Sequence, residues 1–214
     1  MLILGVWDGH DAGAAIIEDG KIKVAINEER LSRKKLDIGF PERSIRACLD
    51  FMGLKPSDVE IVASCGVQPT RILSRFFPYL DNEFYRFRRR LRPKPSFERE
   101  RRLLKYWLAK FRGRGLKKVA EFQIKRKLRK LGFGRVKVHI VDHHLAHAAS
   151  AIFTSGFEKC LCITLDGAGD GLSGSVNLYE NDELRVEGKI SSRDSFGIFF
   201  EQVTTLLGMR DLED

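Results

Sequence analysis

An apolar strand that runs into an acidic glycine turn and then restarts occurs twice in this chain, and that duplication constrains the fold more than any other feature. The first copy is Leu2-Ile3-Leu4-Gly5-Val6, turning through Asp8-Gly9-His10-Asp11 into Ala14 to Ile17. The second is Cys160-Leu161-Cys162-Ile163-Thr164-Leu165, which breaks at Asp166-Gly167-Ala168-Gly169-Asp170-Gly171 and resumes over Gly174 to Leu178. No sequence repeat accompanies the pattern, so it predicts two lobes built on one plan rather than a tandem array. Glycine directly after a buried strand lets the backbone approach a ligand and turn its N–H groups toward phosphate oxygens. Two such turns facing across a cleft would hold a nucleotide through Gly9, Gly167, Gly169, Asp170 and Gly171; a plain tight hairpin is the competing reading. Neither turn is a Walker A loop, because the Gly-Lys-Ser/Thr ending is missing.

Around these turns the chain reads as α/β. Asp19-Gly20 is a two-residue hairpin signal ahead of a strand over Lys21 to Ile26. Pro41 suits a first helical turn before Ile45, Cys48, Leu49 and Met52, with Gly53 closing the helix. Ile61 to Ala63 and Val136 to Val141 read as strands, His143 to Phe153 as an Ala-rich helix ended by Gly156, and Asn181-Asp182 as a turn.

Charge divides the chain. The formal net charge is +9, yet residues 71–130 alone hold 22 Lys and Arg against 5 Asp and Glu. Aromatic residues alternate with the basic ones there, as in Phe84-Tyr85-Arg86-Phe87-Arg88. Leu103, Leu104, Trp107, Leu108 and Phe111, and then Val119, Phe122, Ile124 and Leu128, recur at helical spacing, predicting a basic helical insertion. No apolar run reaches the roughly 18 residues that span a bilayer. Met1 to Ala15 carries Asp8 and Asp11 where a secretion signal needs basic then apolar residues, so a cytoplasmic protein is expected. Cys48, Cys65, Cys160 and Cys162 form no CxxC pair and are read as packed thiols rather than redox or zinc groups.

The sharpest chemical signal is Asp142-His143-His144-Leu145-Ala146-His147. On a helix His143 and His147 stand one turn apart and point the same way, so both imidazoles can reach one metal ion. Two ligands do not complete a site, and Asp166, ending a buried strand, is the candidate third; its competing reading is a turn-forming Asx residue. In the first turn Asp11 can orient His10 for general acid/base work, against the reading of an ordinary loop histidine. Glu28 to Lys34 is either a substrate-facing segment or a solvated strand end.

These stretches resemble the NodU/CmcH/TobZ-type carbamoyltransferases. The matching residues are Gly9-His10-Asp11-Ala12-Gly13-Ala14-Ala15, Glu28 to Lys34 followed by Phe40-Pro41, Asp142 to Ala151, Leu165 to Gly171, Ser195-Phe196-Gly197, and Thr204 to Gly208. The resemblance covers nearly the whole chain except residues 71–130. It implies a Kae1-like domain of the actin/sugar-kinase/heat-shock-70 (ribonuclease H-like) fold. Residues 1–155 would be its first lobe, with 71–130 inserted, and 156–214 the start of a second, incomplete lobe. It further implies an ATP-dependent O-carbamoyltransferase that uses carbamoyl phosphate, through carbamoyl adenylate, to modify a hydroxyl on a small-molecule acceptor. His143, His147 and Asp166 would hold a divalent metal, Fe(II) in the family, and His10 with Asp11 would act at the acceptor hydroxyl. His144 is left to a structural role. The family's second acidic ligand, its adenosine site and its YrdC-like domain lie beyond Asp214, so the chain is expected to be an amino-terminal fragment, inactive alone. A Kae1-type tRNA threonylcarbamoyl transferase is the alternative enzyme, with the basic insertion as its nucleic-acid surface; the stretches at Gly9 and Glu28 fit the carbamoyltransferases better. A non-catalytic nucleotide- and metal-binding module is the alternative without chemistry.

Overall fold

The computed structural model describes residues 1–88 and 114–209, which fall into two compact units, residues 1–88 with 114–141 and residues 142–209. The predicted helix around Leu103 to Phe111 lies outside the described residues.

The first unit is a five-stranded mixed sheet in the order β3-β2-β1-β4-β5, built from β1 (Leu2–Trp7), β2 (Gly13–Glu18), β3 (Lys21–Asn27), β4 (Ile61–Cys65) and β5 (Lys137–Val141). β1 pairs antiparallel with β2 and β2 with β3, while β4 lies parallel to β1 and β5 parallel to β4. That order and direction is the ribonuclease H-like sheet of the actin/sugar-kinase/heat-shock-70 fold. Asp19 and Gly20 turn β2 into β3 with φ of 48° and 77°, the left-handed pair a two-residue turn demands.

Period-two alternation places Leu2, Leu4, Val6, Ala14, Ile16, Val62 and Val138 in one core cluster. Helix α2 (Glu42–Met52) covers it with Ile45, Cys48 and Leu49 and stops where Gly53 turns left-handed at φ 64°. Burial pushes the Cys48 thiol up to about 11, so it is an inert packing group. Before it stands α1 (Glu28–Ser32), a short helix where a substrate-facing or solvated strand end was expected. Its Glu28 is buried and accepts the backbone N–H groups of Arg43 and Ser44, capping the start of α2.

Of the basic insertion, α3 (Pro69–Phe76), α4 (Tyr79–Arg88) and α5 (Arg114–Lys130) are described. Ile124 and Leu128 of α5 join the core, but Phe122, expected beside them, is exposed and Gln123 is buried instead, donating to the Ile72 carbonyl at 3.0 Å. Among the described residues no helix is long and apolar enough to cross a membrane.

The second unit is an antiparallel meander, β6 (Cys160–Gly169), β7 (Leu172–Glu180) and β8 (Glu183–Ser191), flanked by α6 (His143–Ser155) and α7 (Phe196–Leu206). It opens with α6, whose Ala148 and Ile152 pack on Cys162 of β6 and Tyr179 of β7. β6 does not stop at Leu165. It continues through an irregular pairing between Leu165 and Gly169, and only Asp170 and Gly171, at φ 48° and 76°, make the turn. The acidic glycine segment is therefore a bulge followed by a tight hairpin, and the bulge is what lifts Asp166 out of the ladder.

Candidate metal centre

Three side chains converge at the amino-terminal end of α6. His143 Nε2 stands 2.7 Å from Asp166 Oδ2 and 3.0 Å from His147 Nε2, and His147 Nε2 stands 3.8 Å from the same carboxylate oxygen. Helical spacing puts the two histidines on one face, and the bulge in β6 brings Asp166 under them. A neutral ring nitrogen offers one proton or one lone pair, so His143 Nε2 can serve both neighbours only through a bent, shared bond. A cation would instead take a lone pair from each of the three. Ligand atoms about 2.0–2.2 Å from one ion stand roughly 3–3.5 Å apart, and the separations here, 2.7, 3.0 and 3.8 Å, lie on either side of that range. The donor set of two imidazoles and a carboxylate fits a divalent transition metal.

The surroundings hold this geometry. The hydrogen bond from His143, aided by the Gly167 N–H and opposed by burial, keeps Asp166 well below the usual carboxylate range. Asp170 is buried and accepts the His143 backbone N–H at 3.0 Å, fixing the first turn of α6. A Cβ on Gly169 would lie 1.9 Å from His143 Cδ2, so the glycine makes room for the ring. On the far side Ser195, the N-cap of α7, donates toward the carbonyls of Asp166 and Gly167, and Gly197 lets that helix approach within 2.6 Å of the Gly167 nitrogen, measured from where its Cβ would stand. Of the residues expected to cradle a nucleotide, Gly167, Gly169 and Asp170 thus have contacts within the His143/His147/Asp166 cluster, and Gly171 serves the hairpin turn. His144 turns into the unit's interior, its ring edge-on to that of His143 with centroids 5.3 Å apart, and burial lowers its pKa.

In the first unit the turn after β1 presents His10, half exposed, with Nδ1 2.8 Å from Asp11 Oδ2. Asp11 is left-handed at φ 55°, and the Trp7 indole donates to the His10 carbonyl. Gly9 leaves space for the Trp7 ring, which a Cβ would meet at 2.0 Å, and Gly9 O accepts the Gly39 N–H. The turn is thereby held against residues 37–39.

No signal in the sequence marks the turn's strongest anchor. Asp8 is 1% exposed and paired with Arg75 through Nε at 2.8 Å and Nη2 at 3.0 Å, and with Arg71 Nε at 3.3 Å. Burial alone would raise its pKa, but Arg71 and Arg75 outweigh that and hold it below the ordinary value. Both arginines come from α3, 63 and 67 residues away, so only the fold reveals the pairing.

The sequence matches the family described as Carbamoyltransferase N-terminus over residues 2–214. The chain belongs to that family. Among curated relatives, the Methanocaldococcus jannaschii protein MJ1051 is 30% identical over the whole of this chain and 31% of its own length. The nodulation protein NolNO of Sinorhizobium fredii is 30% identical over 93% of this chain and 25% of its own. The chain thus spans between a quarter and a third of the length of these curated relatives. Among solved structures, YeaZ from Pseudomonas aeruginosa overlaps 89% of this chain and 68% of its own at 14% identity, with a TM-score of 0.38.

Proposed function

We propose that these residues form the acceptor-side half of an ATP-dependent O-carbamoyltransferase. The family match along the whole chain, joined to the convergence of His143, His147 and Asp166, is the observation that carries the reading. The carbamoyl group comes from carbamoyl phosphate and reaches this domain as carbamoyl adenylate, made with ATP in a YrdC-like portion of the same protein. The exposed face of β6, with Leu161, Ile163 and Leu165, supports a further layer of protein against the second unit.

His143, His147 and Asp166 would hold a divalent metal, Fe(II) by resemblance, which would supply positive charge to stabilise the adenylate's phosphate as it leaves. Asp170 and Gly169 keep the His143 ring in place, and backbone N–H groups of the 166–171 segment take the phosphate oxygens. In the first unit the His10 Nδ1–H donates to Asp11, which leaves the Nε2 lone pair as the base. The acceptor hydroxyl oxygen bonds to the carbamoyl carbon, the bond from that carbon to the AMP phosphate oxygen breaks, and the hydroxyl proton passes to His10 Nε2. The acceptor is a small molecule bearing a free hydroxyl.

The test is incubation of the intact, metal-loaded protein with carbamoyl phosphate and ATP. Pyrophosphate release that requires carbamoyl phosphate supports the reading, and its absence contradicts it.

A further inference from the structure

Beneath α6, the inner face of the β6–β7 hairpin carries a row of buried polar side chains that the proposed chemistry leaves without a task. His144, Thr164 and Ser175 are all but buried and Asn177 is fully so. They join end to end. His144 Nδ1 lies 2.9 Å from Thr164 Oγ1, Thr164 Oγ1 lies 2.8 Å from Ser175 Oγ, and Asn177 Nδ2 donates to Ser175 Oγ at 2.9 Å and to the Cys162 carbonyl at 3.1 Å. Thr164 Oγ1 also accepts the Ser175 backbone N–H at 2.9 Å. The Asn177 amide nitrogen can only donate, and one proton order that satisfies each link runs from Asn177 to Ser175, from Ser175 to Thr164, and from Thr164 to His144 Nδ1.

Stability does not explain such a row. Apolar side chains of the same shape would pack there at little or no loss, and an unpaired buried polar atom costs about 1–3 kcal/mol. Asn177 Oδ1 is one such atom among the described residues. What hydrogen bonds add is direction. The rest of the buried stripe of α6, Ala148 and Ile152, makes apolar contact, which has no preferred angle. Asp170 holds the backbone at the first turn of the helix, and the bond from His144 to Thr164 adds a side-chain restraint on its rotation. His144 adjoins His143 on the helix, and Thr164 precedes Asp166 by two residues on β6. A ligand nitrogen roughly 6 Å from the helix axis moves about 1 Å for a 10° rotation. Metal-ligand distances tolerate only about 0.2 Å.

We propose that Thr164, backed by Ser175 and Asn177, is a positioning residue for the metal centre, fixing the rotation of α6 through His144 so that His143 and His147 meet Asp166. The proposal rests on those three side chains being metal ligands.

The test uses Co(II) binding to the intact protein, by chelator competition and by the visible absorption of the bound ion. Thr164→Val, which keeps shape and removes the hydroxyl, is expected to weaken Co(II) roughly 10- to 100-fold and to change the absorption, as loss of a residue supporting a ligand does. Thr164→Ser is expected to restore both. Ile152→Val, which loosens the same helix without touching the row, is expected to lower the melting temperature and leave Co(II) affinity within twofold. Ser175→Ala, milder and remote from His144, is the second variant should Thr164→Val fail to fold, with a smaller loss of affinity expected. Parent-like affinity in Thr164→Val, or in Ser175→Ala where Thr164→Val does not fold, overturns the proposal while leaving the ligand reading intact, and so does an equal loss in Ile152→Val. A parent protein that binds no Co(II) overturns both.

Discussion

Gly169→Ala puts the metal centre under strain from a position that contributes no ligand. The added Cβ would stand 1.9 Å from His143 Cδ2, 2.3 Å from Cγ and 2.5 Å from Nε2. Carbon atoms in contact settle about 3.5 Å apart at closest, so the ring must move by roughly 1.6 Å. That is some eight times the ~0.2 Å that a metal-ligand distance tolerates. The backbone at Gly169 has no positive φ, so alanine is admitted there without conformational strain, and the ring is the part that yields. The expected result is a folded protein, destabilised by the ~1–3 kcal/mol typical of overpacking, whose affinity for Co(II) falls at least 100-fold. Chelator competition measures the affinity and urea unfolding the stability. A Gly169→Ala protein that binds Co(II) as tightly as its parent refutes the reasoning, because His143 would then not be a ligand in the position described.

Two further outcomes follow from the first unit. Asp8→Asn leaves Arg75 buried without its carboxylate and Arg71 with Asp81 alone, and is expected to cost about 3–5 kcal/mol at pH 7, read by urea unfolding. Because the folded carboxyl has a lowered pKa, its contribution is present above the unfolded value near 4 and fades as pH falls through the folded value. The gap between parent and variant should therefore narrow in acid, and a gap that widens there contradicts the ion pair. His10→Asn is expected to leave pyrophosphate release intact and to slow carbamoyl transfer by roughly 10²–10⁴-fold; unchanged transfer removes His10 from the reaction.

Much of the architecture is legible in the sequence because local rules govern it. Alternation in β1 and β2, the Asp19-Gly20 turn, the glycine after Met52 and the HxxxH spacing each follow from a few neighbouring residues, and the structure has them where those residues are. The failures share a cause. β6 runs on to Gly169 because its partner strand supplies the pairing, whereas apolar periodicity stops at Leu165. The inward turn of Arg71 and Arg75 in α3 goes unread because their partner, Asp8, lies 63 and 67 residues away. Glu28, charged and so read as solvated or substrate-facing, caps a helix 15 residues on. The glycines at 9 and 169 signal close approach, and each leaves room for a ring of the chain itself, Trp7 or His143. A sequence reports that space is needed; only the fold reports for what.

Metal content of the intact protein, measured by elemental analysis after removal of loosely bound ions, tests the central claim most directly. The parent is expected to hold one divalent transition-metal ion per chain, and the His143→Ala and His147→Ala proteins to hold none while keeping the parent's secondary structure. Metal retained undiminished in either variant would contradict the account.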